Sequence, residues 1–145
     1  MVRDDEAVAQ VQAAYQDFQR GDIASLLSRL SDDISWYTPG EGTAIPFAGP
    51  RRGKAEVGKF FESVGSTLEF HRFDPNEFIA HGDVVVALGT WDVTVRGTSV
   101  RIADGFAMVF RLRDGKIAEI REHHDTAYAA KVFSDGLGGG APPTR

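Results

Sequence analysis

Three ionisable side chains in the second half of the chain have the types and spacing for proton transfer. Glu122 and His124 lie two residues apart in a segment, Lys116 to Asp125, that reads as a strand. Alternate residues of a strand point to one face, so these two share a side with Ala118 and Ile120. The segment before it, Val100 to Arg113, places Ile102, Phe106, Met108, Phe110 and Leu112 on one side, with Asp104 the lone carboxylate among them. Asp114-Gly115 between the two segments is a strong hairpin signal. A two-residue turn there would pair Leu112 with Ile117. A three-residue turn with Gly115 left-handed would pair Leu112 with Lys116. Directly opposed residues point the same way, and only the longer turn lays the two more apolar faces together. That register sets Asp104 opposite His124 and Phe106 opposite Glu122, with facing β-carbons about 5 Å apart.

A carboxylate beside an imidazole in a greasy hollow is a proton-transfer pair. Burial raises a carboxyl pKa, and pairing with a carboxylate raises that of the imidazole. His124 is thus a candidate base, Asp104 its orienter, and Glu122 a second acid or base. Trp36, Thr38, Trp91, Phe106, Met108, Tyr15 and Phe61 are the candidate substrate-binding residues around them. Plainer readings stand beside this one. Asp104 and His124 can simply satisfy each other at the sheet rim, and Glu122 can pair with an arginine as ballast. Trp36 packs a core as readily as it stacks on a substrate. His123 and His81 read as surface residues, and Asp125 reads as a helix cap. No metal is expected, because adjacent His123 and His124 point to opposite faces of a strand.

The elements that must position these groups follow from periodicity. Val8, Val11, Tyr15 and Phe18 recur at helical spacing over about Asp5 to Arg20, and Gly21 ends that helix. Asp22 caps a second helix bearing Ile23, Leu26, Leu27 and Leu30. Ile34, Trp36 and Thr38 alternate as a short strand stopped by Pro39-Gly40. Pro39 to Gly53 is a long Gly/Pro-rich loop, of the kind that is often functional. A third helix starts at Lys54 with Val57, Phe60, Phe61 and Val64 on one face. Strands follow over Leu68 to Ala80, broken near Asp74-Pro75, and over Val84 to Arg96. After the last strand, Thr126 to Phe133 reads as a short helix. Residues 1–135 form one domain, and 136–145 are a Gly/Pro-rich tail expected to be disordered.

Composition bounds what such a domain does. The chain has 145 residues, 42% hydrophobic and 26% charged, enough for one packed core and too apolar for a disordered chain. It has no cysteine, which removes disulfides, thiolate catalysis and zinc-thiolate sites. The net charge is −5 with scattered Lys and Arg, so nucleic acid is not an expected partner. Met1 to Gln10 is too acidic and polar for a signal peptide, and no apolar run approaches the roughly 20 residues of a membrane span. A soluble, cytoplasmic protein without cofactors is expected.

Several segments together resemble the SnoaL-like, or nuclear-transport-factor-2-like, superfamily. They are Tyr15 to Asp22 (YQDFQRGD), Leu30 to Pro39 (LSDDISWYTP), Gly53 to Phe61 (GKAEVGKFF) and Phe110 to Asp125 (FRLRDGKIAEIREHHD). The resemblance implies an α+β fold: a cone-shaped, curved antiparallel sheet wrapped on three N-terminal helices, a cystatin-like α+β barrel holding one small-molecule pocket. Three helices cannot cover both faces of one such sheet, so a homodimer through the outer face is expected beside what the resemblance implies. The resemblance does not fix the chemistry, because the fold hosts isomerases, dehydratases, hydrolases, cyclases and binders. The ketosteroid isomerases place a tyrosine and two aspartates where this chain has Ala14, Thr38 and Met108, so their mechanism is not expected. Limonene epoxide hydrolase is similar in the last hairpin. Its second aspartate falls on Glu122, its Tyr and Asn on Trp36 and Thr38, and its arginine and first aspartate near Thr90 and Asp92. The expectation is acid/base chemistry (isomerase, lyase or hydrolase type) on a mostly apolar molecule, or else non-catalytic binding of one.

Overall fold

The structure, a computed structural model, describes residues 4–42 and 44–137. Helix α1 (Asp4–Gln19) buries Ala7, Val11, Ala14 and Tyr15, the three- and four-residue spacing that makes one apolar stripe. Asp22 accepts a hydrogen bond from the Ser25 backbone N–H at 3.0 Å and so caps α2 (Ile23–Ser28). The rest of the chain runs β1 (Leu30–Thr38), β2 (Gly49–Arg52), α3 (Lys54–Thr67), β3 (Leu68–His81), β4 (Val84–Val95), β5 (Arg101–Arg113), β6 (Lys116–His123) and α4 (Thr126–Leu137). Asp125 caps α4 through the Tyr128 backbone N–H, at 3.0 Å.

The six strands form one curved, unclosed sheet in the order β2-β1-β6-β5-β4-β3. Its concave side packs on the helices. Val85, Ala87, Val93 and Val95 of β4 turn inward to this core, as their alternation requires. The inner face is roofed by α1 and α3, whose Val11 and Val57 are fully buried.

The structure revises the sequence reading in several places. The sheet is not wholly antiparallel: β1 lies parallel to β6, with Trp36 beside Ile120. The expected last helix, α4, starts at Thr126 but runs to Leu137, two residues into the expected tail. Residues 138–145 of that tail lie outside the described residues. Part of the expected 39–53 loop is strand β2, paired with β1. It carries Pro50, which a sheet tolerates there because β2 is an edge. Strand β3 runs unbroken through Asp74-Pro75, because a register shift between Pro75 and Glu77 absorbs the proline.

The hairpin register is the correction that matters for chemistry. Asp114 and Gly115 have φ of 53° and 76°, the two left-handed residues of a two-residue turn. Leu112 therefore pairs with Ile117, and not with Lys116. One step on, Arg111 pairs with Glu119, which leaves Ala118 as a bulge. The bulge restores the inward faces that the longer turn would have given. The partners, however, slide by two residues. Glu122 faces Met108 instead of Phe106, and Asp104 faces Trp91 of β4 rather than His124.

Candidate functional site

A cavity of about 130 Å³ lies between the concave sheet and the helices. Its walls are almost wholly apolar. Aromatic rings dominate them: Tyr15 touches Phe73, Phe106 and Phe110 with centroids 5.6, 6.5 and 5.6 Å away. The segment between β1 and β2 closes one side. There Ile45 and Phe47 are buried, and Phe47 packs 6.0 Å from Phe133 of α4. The few polar groups that reach the cavity stand out against this lining.

Glu122 is the one carboxylate among the lining residues. It points inward because β6 alternates, with buried Ile120 and half-buried His124 on the same face. The Trp36 indole N–H donates to its Oε1 at 3.0 Å. Burial pushes the Glu122 carboxyl up to about 7, against smaller opposing pulls from Trp36, Arg51 and Thr38. A carboxyl that titrates near neutrality can both give and take a proton. Tyr15 also lines the cavity, and its hydroxyl donates to the Met108 Sδ at 3.0 Å. Burial, then the nearby Glu122 charge, pushes the Tyr15 phenol upward, so it stays neutral.

Arg51 comes close enough to Glu122 to favour its charged form. It sits opposite Trp36 on β2, and its guanidinium lies 4.4 Å over the Phe60 ring. Burial in turn lowers the Arg51 pKa. The resemblance puts an arginine near Thr90 and Asp92, where this chain has none. The arginine near Glu122 comes from the opposite edge of the sheet. Asp92 has another role, holding Arg101 in a two-pronged ion pair at 2.6 and 2.7 Å.

His124 lines the cavity, but its expected partnership with Asp104 is not formed. Asp104 is absent from the cavity wall, and its carboxylate accepts from the Gly105 backbone N–H at 2.9 Å. Burial lowers the His124 pKa, and the backbone of Asp125 and the charge of Asp104 only partly offset this. The imidazole is therefore biased toward neutrality, opposite to the expected ion pair. Its Nδ1 is buried without a hydrogen-bond partner among the described residues. The same holds for Trp91 Nε1 and Thr38 Oγ1. Thr38 does stand beside Glu122. The Trp91 and His124 rings lie 5.8 Å apart.

The remaining candidates, Phe61, Phe106 and Met108, all line the cavity with Trp36, Thr38 and Trp91. His71 turns away and contacts the Thr94 hydroxyl at 2.6 Å, and His81 and His123 are exposed. No cluster of three or more potential metal ligands occurs among the described residues. No helix among them is long and apolar enough to cross a membrane.

An unclosed, curved sheet folded over helices around one apolar cavity defines the class: an α+β domain of the cystatin-like type. The SnoaL-like domain is matched over residues 11–120, and the chain belongs to that family. No curated protein matches it. Among solved structures it is similar to an NTF2-like protein from Burkholderia xenovorans LB400. That similarity has 29% identity and a TM-score of 0.83, covering 92% of this chain and 99% of the other. It is similar also to an NTF2-like protein of unknown function from Burkholderia pseudomallei K96243. There the identity is 28% and the TM-score 0.81, covering 89% and 98%. A third is TerC, co-crystallised with polyporic acid, at 26% identity and TM-score 0.77, covering 89% and 98%.

Proposed function

We propose that this protein is a cofactor-independent enzyme that moves a proton on a small, mostly apolar organic molecule held in the concave cavity, with Glu122 as the acid/base. One observation carries this reading: a carboxyl pushed up to about 7 is set in an apolar cavity with one indole N–H as its hydrogen-bond donor. Isomerisation, dehydration and water addition all need a group of this kind. The site does not repeat the ketosteroid-isomerase pattern, since Ala14 and Met108 bring no acid to the cavity. His124, neutral and unpaired with Asp104, binds substrate here and does not act as the principal base.

The test has two parts. The Glu122 side-chain carboxyl, followed by carbon-13 NMR, should titrate with a midpoint near 7. A midpoint at the ordinary glutamate value would refute the assignment. Turnover of small cyclic enones, hydroxyketones and epoxides should fall by about 10²–10⁴-fold in Glu122→Gln, the usual contribution of a positioned acid/base. Equal turnover in the two proteins would also refute it.

A second reading, a non-catalytic small-ligand binder, has its own support. A similar protein, TerC, was crystallised with polyporic acid, and the polar groups of this cavity are few enough to serve recognition alone. Ligand retained through purification, with no turnover of any panel member, is the result that favours it.

A further inference from the structure

Among the described residues, four buried side-chain polar atoms have no hydrogen-bond partner. Three of them, on Thr38, Trp91 and His124, belong to residues lining the one cavity. Buried polar groups are nearly always satisfied, and leaving one unpaired costs about 1–3 kcal/mol. Three such atoms around one hollow are therefore a feature of the site to be explained by what fills it. Thr38 has the Glu122 carboxyl beside it, and a hydroxyl can rotate to reach it. Trp91 has no such option. An indole N–H is a donor only, and no acceptor is in place for it.

The fold brings the second residue beside the first. Trp91 sits on β4 opposite Asp104 of β5, and His124 follows the last residue of β6, His123, immediately before the α4 cap Asp125. Their rings meet at 5.8 Å with planes 53° apart. Burial holds the imidazole toward its neutral form, so Nδ1 can carry a proton without bringing a net charge. Two residues of extended chain, roughly 7 Å, separate His124 from Glu122. That is about the width of one six-membered ring.

We propose that Trp91 Nε1 and His124 Nδ1 form a subsite for an uncharged oxygen acceptor of the ligand, one ring away from the group on which Glu122 acts. The ligand class is thus an uncharged, ring-sized molecule with a carbonyl or ether oxygen at one end and apolar elsewhere. The apolar lining disfavours a carboxylate or phosphate, whose charge would lose its hydration there. This inference rests on the reading of the cavity as a ligand site, but not on Glu122 being catalytic.

The probes are acetophenone and α-methylstyrene, which share a shape and differ in C=O against C=CH₂. Binding is measured by titration for the wild type, Trp91→Phe and His124→Phe. Each variant keeps a flat ring and removes the nitrogen. Acetophenone should bind roughly three- to tenfold more weakly to each variant, the value of one net hydrogen bond. α-Methylstyrene should change by less than twofold. Equal losses for both probes, no loss for either, or failure of acetophenone to bind the wild type would each overturn the subsite. Should a variant not fold, the wild type still decides. The chain has two tryptophans, so its indole N–H NMR signals separate readily. The Trp91 signal should shift with acetophenone and stay put with α-methylstyrene; a signal unmoved by acetophenone would also overturn the proposal. Glu122→Gln keeps the discrimination between the probes whether or not it loses turnover, so the two proposals fail separately.

Discussion

At the scale of single residues, Glu122 and His124 are neighbours on one face that burial shifts in opposite directions. Both shifts favour the uncharged form. The folded state holds the Glu122 proton more tightly than the unfolded chain does, so folding stability falls as pH rises. The Glu122 contribution is fully present below its unfolded value of 4.5 and is lost as pH climbs through about 7. A shift of that size is worth roughly 3 kcal/mol. For His124 the sign reverses: stability is present above 6.5 and declines as the solution is acidified. Wild-type denaturant curves therefore mix two opposed trends between pH 4.5 and 7. Glu122→Gln removes one of them. The stability of that variant minus that of the wild type should rise by roughly 3 kcal/mol over the window, measured by urea unfolding. Parallel curves would show that the carboxyl is not held protonated by the cavity.

At the scale of elements, much of the scaffold could be read before it was seen. Apolar spacing marked α1 and α3, and Asp22 and Asp125 cap the helices they were expected to cap. The inward faces of β5 and β6 were also legible, and with them Glu122. The register was not, because it depends on a bulge at Ala118 that no alternation pattern reveals. Arg51 was hidden for a different reason. A Gly-Pro-Arg-Arg stretch reads as loop by propensity, and only pairing with β1 makes it a strand. The parallel β1–β6 contact joins segments some eighty residues apart, and local sequence says nothing of it. Asp17 lies among the polar residues between the apolar positions of α1, and nothing local marks it as buried. Its side chain is 1% exposed and bonds both Arg20 and Arg29 at 2.6 Å. The Arg29 carbonyl in turn accepts from the Ile117 N–H at 2.9 Å, so one carboxylate links α1 to the start of β6. Asp17→Ala leaves two cations without their shared partner. Thermal or urea unfolding should show a loss of about 2 kcal/mol, the value of charge-assisted hydrogen bonds to arginines that are themselves partly exposed. A loss below about 1 kcal/mol would mean that the arginines find solvent instead.

At the scale of the whole molecule, the convex side of the sheet is the surface left without a layer of helices. Cross-strand pairs place Ile79, Val86 and Val109 in one row across β3, β4 and β5. Ile79 is 53% exposed, the one large hydrophobic so placed among the described residues. The row runs on to Arg121, which lies 5.1 Å over the Tyr37 ring, and Arg111 and Glu119 pair alongside it. An apolar centre with a charged rim is the composition of a protein–protein interface core and its border. A second copy placed face to face by a two-fold axis would set row against row, since such a contact is self-complementary. We expect a dimer through this face. Light scattering on the intact chain should give twice the monomer mass, and Ile79→Lys should return it to the monomer while leaving acetophenone binding unchanged. A wild-type protein that stays monomeric at high concentration would contradict the expected dimer. The cavity, on the concave side of the same sheet, would survive that result.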